Sequence, residues 1–288
     1  MTIRVIDGMR ELAPRYDGFI LDLWGVVHDG VAPFPGVLDC MERLLGAGKR
    51  LVLLSNAPRR ADDVVRRIAG IGVPDTLFHG VMSSGEEAWR YLSRRDEPFY
   101  AALGRHCLHI GSDRDLEIRE GLDLTFVTTP AEADFILNTG PAEWDDTIED
   151  YAPIFAAARE RDLPMVCANP DLVVVHGGKP ALCAGALAEH YEAIGGRVRW
   201  HGKPYPSVYD SCLTLLGIAD RRRILAIGDS LRTDIAGAVA AGIDSLLVAS
   251  GIHLAEFTTE GRLDPARVAT AVASLKTAPI AVTAGFAW

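Results

Sequence analysis

Phe19-Ile20-Leu21-Asp22-Leu23-Trp24-Gly25-Val26-Val27-His28-Asp29-Gly30 decides how the chain is read. Its apolar start is the length of a buried strand, and it breaks at a carboxylate before meeting glycine. A parallel sheet presents a reactive acid at its carboxyl edge in this way. The figure recurs downstream: Leu51-Val52-Leu53-Leu54 ends in Ser55-Asn56, and Ile224-Leu225-Ala226-Ile227 ends in Gly228-Asp229-Ser230. Amphipathic helices alternate with these runs. One carries Val37, Met41, Leu44 and Leu45 and stops at Gly46 and Gly48. Others carry Val64, Val65 and Ile68, then Val208, Cys212, Leu215 and Leu216, then Ile235 and Val239 before Gly242. Val81-Met82-Ser83-Ser84 opens a further helix that runs to about Leu92. Such alternation predicts an α/β protein with a doubly wound parallel sheet. Residues 1–18 read as a short helical lead-in, Leu246-Leu247-Val248 as the last core strand, and the apolar tail Pro279–Trp288 as packing back on the core.

The texture changes near residue 104. Cys107–Gly111, Leu124–Val127, Phe135–Leu137 and Met165–Cys167 are strand candidates among acidic, turn-rich connections, with a helix around Ile148–Arg161. Residues 104–198 therefore read as an inserted α/β cap module, and 1–103 with 199–288 as a discontinuous core. Arg197-Val198-Arg199-Trp200 leads back to the core through His201-Gly202-Lys203-Pro204.

At 288 residues the chain holds one large domain or two ordinary ones. With 49% apolar and 24% charged residues it is a packed globule, not a disordered chain. A net charge of −10 argues against nucleic acid and against anionic membrane as partners, while a local lysine and a metal ion still admit an anionic substrate. The opening Met1-Thr2-Ile3-Arg4 lacks a secretory pattern, and no apolar run approaches the roughly 20 residues that span a bilayer. The five cysteines are odd in number and scattered, without a Cys-x-x-Cys spacing, which reads as free thiols and a cytoplasmic location.

Strand ends and pre-helix turns thus carry Asp22, Ser55-Asn56, Lys203, and Asp229 with Asp234. In an open parallel sheet those ends share one crevice. Carboxylates there make an oxygen-rich site for a hard cation such as Mg²⁺. Lysine, hydroxyl, amide and helix-start N–H groups hold phosphate oxygens, and a carboxylate is itself a nucleophile that forms an acyl-phosphate. Each residue also has a bland reading: Asp22 and Asp229 as turn residues, Ser55 as a helix N-cap, Asp234 as an acid in a helix's first turn. Gly178-Lys179-Pro180 repeats the Gly-Lys-Pro tripeptide inside the cap, where Lys179 reads as a solvated loop residue. Arg59-Arg60 and Arg66-Arg67 read as the solvated face of a helix. His106 and His109 flank Cys107 without any zinc spacing.

Asp22-x-x-Gly25-Val26, Leu54-Ser55-Asn56, Gly202-Lys203-Pro204 and Gly228-Asp229-Ser230-x-x-Thr233-Asp234 resemble, in order, the four motifs of the haloacid dehalogenase-like (HAD) hydrolases. The likeness covers nearly the whole chain. The inserted module resembles the large cap of the class IIA branch, which includes p-nitrophenyl phosphatase-like and pyridoxal phosphatase-like enzymes. Asn169-Pro170-Asp171 and Ala184-Gly185-Ala186-Leu187 are similar to segments late in that cap. The resemblance implies a Mg²⁺-dependent phosphohydrolase acting on a small phosphorylated metabolite through an aspartyl-phosphate. Asp22 is then nucleophile and metal ligand, the Trp24 backbone carbonyl and Asp229 are further ligands, and Asp234 supports the metal. Ser55, Asn56 and Lys203 hold the phosphate, and Asn169, Asp171 and His176 are the specificity candidates. Homodimerisation through the cap would suit the family.

One position departs from the pattern. Phosphatases of this family usually carry Asp two residues after the nucleophile, where it protonates the leaving group and then activates water. Trp24 stands there and can do neither. His28, at a place where class IIA relatives often have an aromatic, is the candidate for the missing proton transfer. The alternatives are a phosphate-ligand-binding protein with lost or weak catalysis, and a hydrolase of a non-phosphate bond in the dehalogenase manner.

Overall fold

The computed structural model describes residues 3–176, 179–250, 254–259, 262–273 and 278–288, excepting the side chains of residues 175, 176, 254, 255 and 262. Packing divides the chain into two units, Met1–Ser55 with Asp62–Met82 and Lys203–Trp288, and Asn56–Ala61 with Ser83–Gly202.

The first unit is built on a seven-stranded sheet in the order Val5–Ile6, Ala281–Thr283, Asp244–Val248, Ile224–Gly228, Gly18–Asp22, Arg50–Ser55, Gly80–Ser83. The pairings from Val5–Ile6 through Arg50–Ser55 are parallel. Gly18–Asp22 and Ile224–Gly228 are buried along their whole length, as central strands covered on both faces must be. Ile20 sits opposite Ala226 on one side and Val52 on the other. The helix Pro206–Leu216 lays Val208, Tyr209, Cys212 and Leu216 over Ile20, Val52 and Ile224.

Two expectations change here. The lead-in forms a short strand, Val5–Ile6, and two 3₁₀ turns, Met9–Glu11 and Ala13–Arg15, not an α-helix. Pro14 withholds a backbone donor, and the Val5–Ile6 strand finds its partner in the tail. The tail does more than pack back, because Ala281–Thr283 enters the sheet between Val5–Ile6 and Asp244–Val248. Leu246–Val248 is therefore not the last core strand.

The second unit holds a five-stranded parallel sheet in the order Arg197–Trp200, Pro164–Cys167, Phe135–Asn138, His106–Ile110, Thr125–Val127. One face is covered by the helix Ser84–Arg94 and the segment after it, with Ala88, Leu92, Tyr100 and Leu103 on Cys107, Phe135, Leu137 and Val166. The other carries Ile148–Glu160 and Ala184–Ala193, with Tyr151, Phe155, Leu187 and Tyr191 on Ile136, Met165 and Cys167. The unit thus starts well before residue 104, because the buried stripe of Ser84–Arg94 belongs to this sheet. Arg197–Trp200, read from sequence as the way back to the core, is an edge strand of the same sheet. An antiparallel hairpin, Val173–His176 with Lys179–Leu182, follows Asn169-Pro170-Asp171. All five cysteines are buried. Among the described residues no helix is long and apolar enough to cross a membrane.

Candidate active site

Sheet register sets the first pair of acids. Leu21 lies opposite Ile227, so Asp22 and Asp229 leave adjacent parallel strands at the same edge. A π-helical turn, Leu231–Ile235, then brings Asp234 back toward the strand end. Ser230 anchors that turn: its hydroxyl accepts from Thr233 N at 3.3 Å, and its own N–H donates to Asp234 Oδ2 at 3.2 Å. Lys203 enters ahead of the helix Pro206–Leu216. Its Nζ donates to Asp22 Oδ1 and, at 2.8 Å, to Asp234 Oδ1. Asp22, Asp229, Asp234 and Lys203 are all buried.

Three carboxylates and one ammonium meet in this buried site. Burial raises the Asp22 pKa well above the usual carboxylate value, and Asp234 and Asp229 add to it against the pull of Lys203. Burial works against charge on Lys203 too, but Asp22 and Asp234 outweigh it and hold the ammonium charged. One ligand oxygen from each of Asp22, Asp229 and Asp234 lies within 4.8 Å of the others. An all-carboxylate donor set suits a hard cation, not a soft one. The residues present fit Mg²⁺.

The loop after Asp22 is tightly wound. Val27 N and His28 N both donate to Leu23 O, at 2.9 and 3.0 Å, and Ser250 Oγ donates to Gly25 O at 3.2 Å. Trp24 is 48% exposed. Its indole lies on the α-carbon of Gly30, where a Cβ would come within 2.5 Å of Cη2 and Cζ3. Gly30 also has φ +92°, so glycine is required there twice over. His28 meets the indole edge-on with ring centroids 5.8 Å apart. Its Nδ1 accepts from Gly30 N at 2.9 Å, which puts the proton of the neutral ring on Nε2. Burial lowers the His28 pKa against the opposing charge of Asp29. A neutral ring so engaged donates a hydrogen bond but offers no free lone pair. This geometry counts against the proton-accepting half of the proton transfer for which His28 is the candidate.

Ser55 closes its strand half-buried. Asn56, a further phosphate candidate, belongs to the second unit and meets the specificity candidates there. Its Nδ2 donates to Asp171 Oδ1 at 2.9 Å, and Asp171 N donates to Asn169 Oδ1 at 2.9 Å. Ser84 Oγ donates to Asn56 Oδ1 at 3.2 Å. Gly202 presses on this cluster: a Cβ would sit 2.0 Å from Ser84 Oγ and 2.6 Å from Asn56 Oδ1. His176 ends its hairpin strand opposite Lys179, and its side chain lies outside the described residues. Lys179 is solvated, as expected, but it opens the strand Lys179–Leu182 and is not a loop residue.

Sequence reasoning overlooked a buried polar chain beside this cluster. Glu87 Oε2 accepts from Gly202 N at 2.9 Å and lies 3.2 Å from His201 Nδ1, while His201 Nε2 bonds the Tyr100 hydroxyl. The available signal is a carboxylate on the buried stripe of a helix, with Ser84, Ala88 and Leu92 around it. The reading of Arg59-Arg60 as solvated also fails. Arg60 pairs with Glu86 at 2.7 Å and stacks 3.6 Å above Trp89, and Arg59 lies 3.1 Å from Asp115. Arg66 and Arg67 are exposed, as expected, and pair with Asp63. His106 pairs with Asp134, and the half-buried His109 lies between Arg119 and Thr139.

The haloacid dehalogenase-like hydrolase family model matches residues 19–125, and a HAD-hydrolase-like model matches residues 200–275. The chain is 30% identical over 240 residues to the ribonucleotide monophosphatase NagD of Escherichia coli K12, covering 81% of this chain and 87% of that one. It is 28% identical over 263 residues to D-glycerol 3-phosphate phosphatase of Mycobacterium tuberculosis, covering 86% and 67%. Among solved structures, a haloacid dehalogenase-like hydrolase from Brucella suis 1330 aligns at a TM-score of 0.83 and 33% identity, over 98% of this chain and 100% of that one.

Proposed function

The chain belongs to the haloacid dehalogenase-like hydrolases, and within them we propose that it is a Mg²⁺-dependent phosphohydrolase of small phosphorylated metabolites. The observation that carries this is Lys203 clamped between Asp22 and Asp234, with Asp229 alongside, in a buried site. Mg²⁺ would be held by Asp22, Asp229 and the Trp24 carbonyl with Asp234 in support, and when bound it supplies positive charge to the transferring phosphoryl group.

Asp22 attacks phosphorus in line and becomes an aspartyl-phosphate. Lys203 opposes the charge on the phosphoryl oxygens. Ser55 and Asn56 hold those oxygens in place, and Asn169, Asp171 and His176 select the rest of the substrate. Trp24 favours a second reading, a phosphate-binding protein that turns over weakly or not at all, because it supplies no proton.

Phosphate release from p-nitrophenyl phosphate and a metabolite panel, with and without Mg²⁺, separates the two. Metal-dependent release abolished in Asp22→Asn is the expected result. Metal-dependent phosphate binding without release would favour the binding protein. Activity on an activated carbon–halogen substrate that survives chelation would overturn both.

A further inference from the structure

We propose, resting on the phosphohydrolase reading, that Trp24 confines the reaction to phosphates whose leaving group departs as a stable anion. These are aryl phosphates, acyl phosphates and phosphoanhydrides, and alkyl phosphate monoesters are excluded. The restriction follows from what the groups around Asp22 can donate. In the first step an Asp22 carboxylate oxygen forms a bond to phosphorus while the bond from phosphorus to the leaving oxygen breaks. The electron pair goes with that oxygen, so an alkyl group leaves as an alkoxide about as basic as hydroxide unless it is handed a proton. A phenoxide (phenol pKa about 10) or a carboxylate (about 4) leaves without one. In the second step water attacks phosphorus and the bond to Asp22 breaks. The carboxylate is restored and phosphate departs as its monoanion, so the overall reaction consumes only water.

Four groups around Asp22 in its own unit, Asp234, Lys203, His28 and Trp24, are not arranged to supply the first-step proton. Asp234 has both oxygens taken up as acceptors, by Lys203 and by Ser230 N. Lys203 is committed to two acids. His28 accepts at Nδ1 and keeps its only proton on Nε2, which it would have to surrender as an imidazolate. Trp24 itself, two residues past Asp22, carries an indole N–H that does not ionise in water.

The same indole also sets a preference among the allowed groups. It is 48% exposed yet seated on Gly30 and in contact with His28, so it presents aromatic surface that is held in place. A fixed aromatic face favours a planar leaving group by stacking. Aryl phosphates should therefore outrank acyl phosphates and phosphoanhydrides relative to their leaving-group acidity.

The test is kcat/KM in Mg²⁺ for a series of substituted phenyl phosphates of similar shape, with acetyl phosphate, pyrophosphate and glycerol phosphate as further arms. The rate constant is expected to fall about 10²–10⁴-fold from the most acidic phenol to glycerol phosphate. Trp24→Phe should keep that slope, and Trp24→Asp should flatten it by raising the slowest substrates. A level profile in the wild type overturns this inference and leaves the phosphohydrolase reading standing. No phosphate from any arm, in protein shown to be folded by circular dichroism, overturns both. If Trp24→Asp does not fold, the wild-type slope and Trp24→Phe decide alone.

Discussion

His109 is a histidine that its surroundings keep neutral. Arg119 Nε donates to its Nδ1 at 2.8 Å, so Nε2 carries the proton toward Thr139 Oγ1 at 2.9 Å. Burial, and then the charge of Arg119, push its pKa from 6.5 down to about 3. The sign follows from proton uptake. Between those values the unfolded chain binds a proton that the folded chain refuses, so the stability this site contributes is whole above about pH 6.5 and drains away as pH falls toward 3. The slope approaches 1.4 kcal/mol per pH unit, or on the order of a few kcal/mol by about pH 4.5. Urea denaturation of wild type and His109→Gln at neutral and acid pH checks it. The variant should start less stable and lose less on acidification, and parallel declines would contradict the assignment. Glu87 offers a second test. Glu87→Ala strips the buried Gly202 N–H of its acceptor and should cost about 1–3 kcal/mol, whereas Glu87→Gln keeps an oxygen for Gly202 and should cost less. Equal melting temperatures for the two variants would mean that the chain of bonds is not felt.

Elements were legible in proportion to how much of their burial is local. Phe19–Leu21, Leu51–Leu54 and Ile224–Ile227 are continuous apolar runs because both faces are covered, and each is a strand as read. The Ser84–Arg94 helix showed that it has a buried face, but a periodic stripe does not say which sheet receives it. Ala281–Thr283 could not be read at all. Three residues carry no period, and its partners, Val5–Ile6 and Leu246–Val248, are far away in sequence. That strand makes a prediction of its own. Val282 and Phe286 are buried, and a fully buried large apolar side chain contributes about 1.5–3 kcal/mol. Ending the chain at Pro279 also unpairs two strands, against a total stability of about 5–15 kcal/mol. The truncated chain should lack a cooperative melt, and Phe286→Ala should fold with about 3–5 kcal/mol less stability. A truncated chain melting like the full one would show that the tail strand is dispensable.

At the scale of the molecule, the candidate site was legible as a set of strand ends, because the sheet alone brings Asp22 and Asp229 together across some two hundred residues. The hydrogen bonds that join Asn56 to Asp171 were not, since nothing local marks which amide meets which acid. The chain passes between its two units four times, and the metal candidates all lie in the first. A cation bound there must therefore act on that unit's stability. Without metal, Asp22, Asp229 and Asp234 repel one another in a buried site, so Asp229→Asn, which keeps an oxygen and removes a charge, should hold or raise the melting temperature. With Mg²⁺ the order should reverse. Wild type gains about 2.7 kcal/mol at a hundredfold excess over Kd, and the variant gains little because a ligand stabilises only the state that binds it. Hydrogen exchange adds a spatial reading: Mg²⁺ should slow exchange around Asp22, Lys203 and Gly228–Asp234 and leave Phe135–Asn138 and Pro164–Cys167 unchanged. If Mg²⁺ raised wild type and Asp229→Asn alike, the ion would be binding elsewhere, and the carboxylate cluster would not be its site.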